Sequence, residues 1–156
     1  MVGIVVVSHS DALAEGVVKL AREMGGQELA LEPAGGLDEG GVLGTDPQRV
    51  RAAIERAMSA DGVLVLMDLG SALMSAEFAI ELLEEPPGPV LLSEAPLVEG
   101  TVAAAVAARG GGSLEEVAAE ARGALGMKAS QLGVSGSDED SPGATPDWQP
   151  DVEASL

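Results

Sequence analysis

Cysteine is absent from the 156 residues, which excludes disulfides and thiolate metal sites. Aromatic residues amount to one Phe and one Trp, with no Tyr. A site built on aromatic stacking, for a flavin or single-stranded nucleic acid, is therefore disfavoured. Basic residues are few: 8 Lys and Arg stand against 26 Asp and Glu, a net charge of −18. Such a surface repels polyanions, and no nucleic-acid partner is expected. No apolar run approaches the roughly 20 residues of a spanning helix, and no basic segment precedes an apolar one at the N-terminus. The expectation is a soluble cytoplasmic protein with no membrane partner. Histidine is scarcest of all, with one copy, His9.

What the chain does have is aliphatic pattern. Ile4, Val5, Val6 and Val7 follow one another without alternation, as in a strand buried on both faces of a parallel sheet. His9 sits just past that strand's carboxyl end. Ser10 and Asp11 are helix-start residues, and Leu13, Val17, Leu20, Ala21 and Met24 follow at helical spacing. His9 thus lies in a strand-to-helix turn beside a helix N-terminus, a position that favours anions.

Gly25-Gly26 ends the first helix, and Glu28 to Glu32 is expected as a second strand. A glycine-rich loop follows from Pro33 to Gly44. Thr45, with Gln48 at capping-box spacing and Pro47 in the first turn, opens a second helix that buries Val50, Ala53, Ile54, Ala57 and Met58. A third strand runs from Val63 to Met67 and ends in Asp68-Leu69-Gly70-Ser71. A third helix from Ala72 to Leu83 carries Leu73, Phe78, Ile80 and Leu82. Pro86 to Pro89 breaks it, and Val90 to Leu92 gives a fourth strand. A fourth helix covers Val98 to Arg109. A fifth opens on Ser113 with Glu116 three residues later and ends at Gly133. Beyond it, six acidic residues, no basic ones and three prolines predict a disordered tail. The division expected is a domain over 1–133 and a tail over 134–156.

The order βαβαβαβαα predicts an α/β fold: a mostly parallel sheet in strand order 2-1-3-4, with room for an extra edge strand, between two helical layers. Ligands of such sheets bind where the strand order switches, here between strands one and three, whose polar end residues are His9 and Asp68. A carboxylate that accepts from one ring N–H leaves the other imidazole nitrogen free as a nucleophile. Helix N-termini at Ser10 and Ser71 would balance negative charge placed there. The chemistry that fits is phosphoryl relay, without metal or cofactor.

Residue pattern alone leaves other readings open. A lone histidine at a strand end can be only a turn residue, and Asp68 beside Gly70 only a cap. Asp38, Glu39 and Asp46 read as solvated loop charges, since one histidine with scattered carboxylates is a poor metal set. Met67 and Met74 fit a core or an interface. A non-catalytic regulatory module that binds a partner through the strand ends is the main alternative. A receiver domain with Asp68 as phosphoacceptor is a third, but strand one ends in Ser8-His9-Ser10 rather than an acidic pair.

Four blocks in register, VGIVVVSHSDALAEGV, LGTD at 43–46, VLVLMDLGSALMSAE at 63–77 and APLVEGTVAA at 95–104, resemble the DhaM family, phosphotransferase subunits of phosphoenolpyruvate-dependent dihydroxyacetone kinase with a mannose-type IIA fold. The resemblance implies a phosphoenolpyruvate–glycerone phosphotransferase subunit. His9 would accept a phosphoryl group from phospho-HPr as a phosphohistidine and pass it to ADP on the DhaL subunit. The ATP formed would phosphorylate dihydroxyacetone held on DhaK. It implies that Asp68 orients His9, and that Ser10, Gly70 and Ser71 line the phosphate site. It also implies a homodimer, which would use the apolar helix surface around Met74 and Phe78. Some members of the family continue into HPr-like and enzyme I-like domains. Here an acidic tail follows, so HPr is expected as a separate protein.

Overall fold

The computed structural model describes residues 1–38 and 41–134; Glu39 and the segment 135–156, most of the expected tail, lie outside them. Its contacts divide the chain into Met1–Leu125 and Gly126–Leu156. The element order is β1 (Gly3–Ser8), α1 (Asp11–Gly25), β2 (Leu31–Gly35), α2 (Pro47–Ala57), β3 (Val63–Met67), α3 (Ala72–Glu81), β4 (Val90–Ser93), α4 (Leu97–Arg109) and α5 (Leu114–Gln131). Among the described residues the sheet has four strands, all parallel, in order β2-β1-β3-β4. No extra edge strand is present there.

Every residue of β1 is buried, as its unbroken aliphatic run requires. Ile4 and Val6, with Leu64 and Leu66 of β3, face α1, α4 and the first turns of α5. Val5 and Val7, with Val63 and Val65, face α2 and α3. Each such side chain removed from water contributes about 1.5–3 kcal/mol, so the strand that carries His9 is anchored on both faces.

Three expectations are corrected. The second strand is Leu31–Gly35 rather than Glu28 to Glu32. Pro33 is admitted because β2 is an edge strand, where a missing N–H costs no ladder bond. Arg22 donates to the Leu29 and Leu31 carbonyls and Arg49 to that of Gly35. Gly35 passes the start of α1 so closely that a Cβ would stand 2.7 Å from the Ser10 carbonyl oxygen.

In α1 the buried side is Ala14, Val17, Val18, Ala21 and Gly25, while Leu13, Leu20 and Met24 are exposed. α1 lies tight against α4, where a Cβ on Gly25 would meet that of Ala105 at 2.8 Å. Small residues turn inward and large ones are left on the flank. α3 shows the same inversion, with Ala72, Ala76 and Ala79 buried but Leu73, Met74 and Phe78 exposed.

The N-cap of α2 is Asp46, whose carboxylate accepts from the Gln48 N–H at 2.9 Å. Thr45 instead bonds the Ser75 hydroxyl at 2.7 Å. The cap of α5 is as expected: the Ser113 N–H donates to Glu116 and the Glu116 N–H to the Ser113 hydroxyl, at 2.9 and 3.2 Å. In Gly126–Leu156, the helix end closes with the Leu132 N–H on the Lys128 carbonyl, and Gly133 follows at φ 78°. No described helix is long and apolar enough to cross a membrane.

Candidate functional site

β1 and β3 run side by side, with Val7 opposite Met67, so His9 and Asp68 leave the sheet together at the strand-order switch. The Asp68 N–H closes the ladder on the Val7 carbonyl at 3.0 Å. The imidazole Nδ1 lies 3.0 Å from Asp68 Oδ1, with the His9 side chain 27% and the Asp68 side chain 12% exposed. The His9 backbone N–H donates to Asp68 Oδ2 at 3.0 Å, the Ser8 hydroxyl to the same oxygen at 2.9 Å, and the Leu69 N–H to Oδ1 at 2.7 Å. Burial raises the Asp68 pKa, but the hydrogen bonds from the His9 backbone and ring, Ser8 and Leu69 outweigh it and leave the carboxyl below its ordinary value. An ionised carboxylate only accepts, so in the neutral imidazole Nδ1 carries the ring proton and Nε2 holds the free lone pair.

The Ser71 hydroxyl lies 2.9 Å from Nε2 and donates to it in that neutral form, where the nitrogen has no proton to give. Ser71 is the N-cap residue of α3, yet its side chain caps no helix N–H; its hydroxyl is committed to His9 instead. On the third side, the Gly44 N–H donates to the His9 carbonyl at 2.8 Å, which brings the end of the glycine-rich loop to the site. Thr45 and Ser75 tie that loop end to α3.

The structure therefore brings His9, Asp68 and Ser71 into one cluster. Ser10 has a different immediate task. Its hydroxyl accepts from the Leu13 N–H at 3.2 Å and caps α1, while its own N–H donates to the Ser8 hydroxyl at 3.0 Å. Gly70 lies in the open bend before α3, its carbonyl accepting from the Leu73 N–H at 3.0 Å. The Ala72 N–H is likewise spent, on the Leu69 carbonyl, so at this helix start the Ser71 hydroxyl is the donor aimed at the ring. Neither Ser8 nor the bond between Thr45 and Ser75 was anticipated from the sequence. A serine closing a run of valines was the one signal for Ser8.

A cleft of about 490 Å3 opens beside Asp68 across the carboxyl ends of β3 and β4, lined in part by Leu69, Leu73, Leu92, Pro96 and Leu97. Among the described residues no group of three His, Asp or Glu side chains is placed to hold a metal ion.

Residues 3–118 match the model of the EIIA-man family, described as the PTS system fructose IIA component. The chain belongs to the EIIA-man family. Its relatives include the phosphoryl donor subunit DhaM of phosphoenolpyruvate-dependent dihydroxyacetone kinase from Klebsiella michiganensis, 48% identical over 86% of this chain and 29% of that protein. The Escherichia coli subunit of that name is 48% identical over 88% of this chain and 30% of its own length. The chain thus spans about 30% of the length of these two relatives. A phosphotransferase subunit DhaM from Lactococcus lactis is 37% identical over 74% of this chain and 89% of that protein. A crystal structure of a protein of unknown function superposes with a TM-score of 0.68 at 37% identity, covering 79% of this chain and 94% of that one. A second, of a sigma-54 interaction domain protein from Enterococcus faecalis, has a TM-score of 0.58 at 18% identity over 84% and 95%, and shares the fold.

Proposed function

We propose that this EIIA-man chain is the phosphoryl carrier of a phosphoenolpyruvate-dependent dihydroxyacetone kinase, with His9 as the residue phosphorylated. The observation that carries the reading is the imidazole held by Asp68 at Nδ1, which leaves Nε2 outward with its lone pair. The kinship to the DhaM subunits supports the choice of system.

In the first step the Nε2 lone pair attacks the phosphorus of phospho-HPr. The donor's P–N bond breaks and its histidine recovers the electron pair. The imidazolium that forms on His9 is balanced by the Asp68 carboxylate, and the Ser71 hydroxyl turns from Nε2 to an oxygen of the incoming phosphoryl group. The reading assigns Ser10 and Gly70, next to His9 and Ser71 in the chain, to the same phosphate site. In the second step an oxygen of the ADP β-phosphate, on DhaL, attacks the same phosphorus; the P–Nε2 bond breaks and ATP results. That ATP phosphorylates dihydroxyacetone on DhaK. The carrier supplies positioning and electrostatics, the main catalytic resources for phosphoryl transfer, and needs no metal or cofactor of its own.

The reading places this activity in residues 1–133, with 134–156 as an appended tail, in a soluble cytoplasmic protein. It also makes the chain a homodimer, joined through the exposed apolar side chains of Leu69, Leu73, Met74 and Phe78.

Reconstitution tests it. With phosphoenolpyruvate, enzyme I, HPr, DhaL, DhaK and ADP, adding the wild-type chain should drive formation of dihydroxyacetone phosphate, and the His9→Ala chain should not. Equal turnover with the variant, or with no chain added, would remove the carrier role.

A further inference from the structure

We infer that Ser8 is a positioning residue for His9, acting through Asp68. This rests on the carrier reading for its consequence in phosphoryl transfer, but the geometry stands apart from it. Ser8 is fully buried at the end of β1, where the preceding four residues are aliphatic. A hydroxyl taken from water without partners is destabilising, and here both its roles are filled. The oxygen accepts from the Ser10 N–H at 3.0 Å and the proton goes to Asp68 Oδ2 at 2.9 Å. A serine has one proton to give, and an ionised carboxylate is the one partner here that can only accept, so the direction of that bond is fixed.

The consequence is a saturated carboxylate. Asp68 Oδ1 takes the His9 Nδ1–H and the Leu69 N–H; Oδ2 takes the His9 backbone N–H and the Ser8 hydroxyl. Four donors fill the roughly four acceptor directions a carboxylate has, so its plane cannot turn without losing a bond. Three of the four come from backbone or from the ring being positioned. Ser8 is the one donor of the four that comes from a side chain other than the ring itself. Through Ser10 the same hydroxyl ties the start of α1 to the end of β3, so one side chain bridges the two walls of the His9 turn. In metal sites, partners that hold the carboxylate behind a ligating histidine set its tautomer and orientation, and their loss costs about 10–100-fold; a loss of the same order is expected here, where Asp68 holds His9 in the same way.

The test uses the full chain, wild type, Ser8→Ala and Ser8→Thr, with melting curves to establish folding. Thr keeps the hydroxyl at a strand position suited to a β-branched residue. The first readout is the pair of 15N ring shifts of His9 in unphosphorylated protein, which no phosphoryl donor can influence. Wild type and Ser8→Thr should show one nitrogen protonated and one bare, as the Nδ1–H form requires; Ser8→Ala should show both shifts drawn toward a tautomer mixture. The second readout is the rate of phosphoryl uptake from phospho-HPr, which should fall about 10-fold or more in Ser8→Ala and recover in Ser8→Thr. A folded Ser8→Ala with wild-type ring shifts overturns the proposal whatever its rate, as does a folded Ser8→Thr that behaves like Ser8→Ala. A wild type that takes up no phosphoryl group sinks the carrier reading instead, and the ring shifts still decide the role of Ser8.

Discussion

At the scale of single residues, Asp68 carries more than the orientation of His9. Its lowered pKa makes it a term in stability as well. A carboxylate whose pKa falls on folding stabilises the native state fully above its unfolded value, near 4, and loses that contribution as the pH drops through the folded value. Asp68→Asn is therefore expected to melt below wild type at pH 7, with the gap beginning to narrow as the pH falls below about 4 and the unfolded carboxyl takes up its proton first. Thermal melts of both proteins from pH 7 to pH 3 check this, and a gap that widens with acid would contradict it. His9 and Asp68 were legible in the sequence because each is a polar residue where an aliphatic run stops, and chain order put the two stops side by side. Ser8 was not legible as a functional residue. Its role depends on facing Asp68 across the strand pair, and local spacing carries no trace of that contact.

At the scale of elements, sequence pattern gave the type and order of all nine, because β-branched runs and Gly or Pro breaks are local signals. It misplaced the inward face of α1, and it named no inward face for α3. Pattern reading assigns large apolar side chains to the core, whereas these helices approach so closely that alanine and glycine face inward. Met74 and Phe78, 79% and 50% exposed, are thereby left on a free surface of α3. If that surface joins two copies, replacing both with Glu should convert the protein from dimer to monomer with little loss of stability, since neither supports the core. Light scattering after gel filtration reads the mass; a dimer that survives both substitutions would move the interface elsewhere. β2 was misplaced by three residues because Pro33 reads as a breaker, and only its position at the sheet edge admits it.

At the scale of the whole molecule, the net charge of −18 opposes compaction by self-repulsion, and salt screens it over a Debye length of about 10 Å at 0.1 M. The melting temperature should rise as NaCl is raised from about 0.01 to about 0.5 M, with screening complete beyond a few ångströms at the upper end; a fall over that range would show that specific ion pairs outweigh the repulsion. Few such pairs bear on the site, which is built from hydrogen bonds at the ends of two buried strands and from one histidine. That singularity makes the central claim directly measurable. Intact mass is recorded after incubation with phosphoenolpyruvate, enzyme I and HPr, with and without acid treatment, for wild type and His9→Ala. The account predicts a single phosphoryl adduct on wild type that disappears in acid, as a phosphoramidate does, and none on the variant. No adduct on wild type while HPr itself is charged, or an equal adduct on His9→Ala, would contradict it.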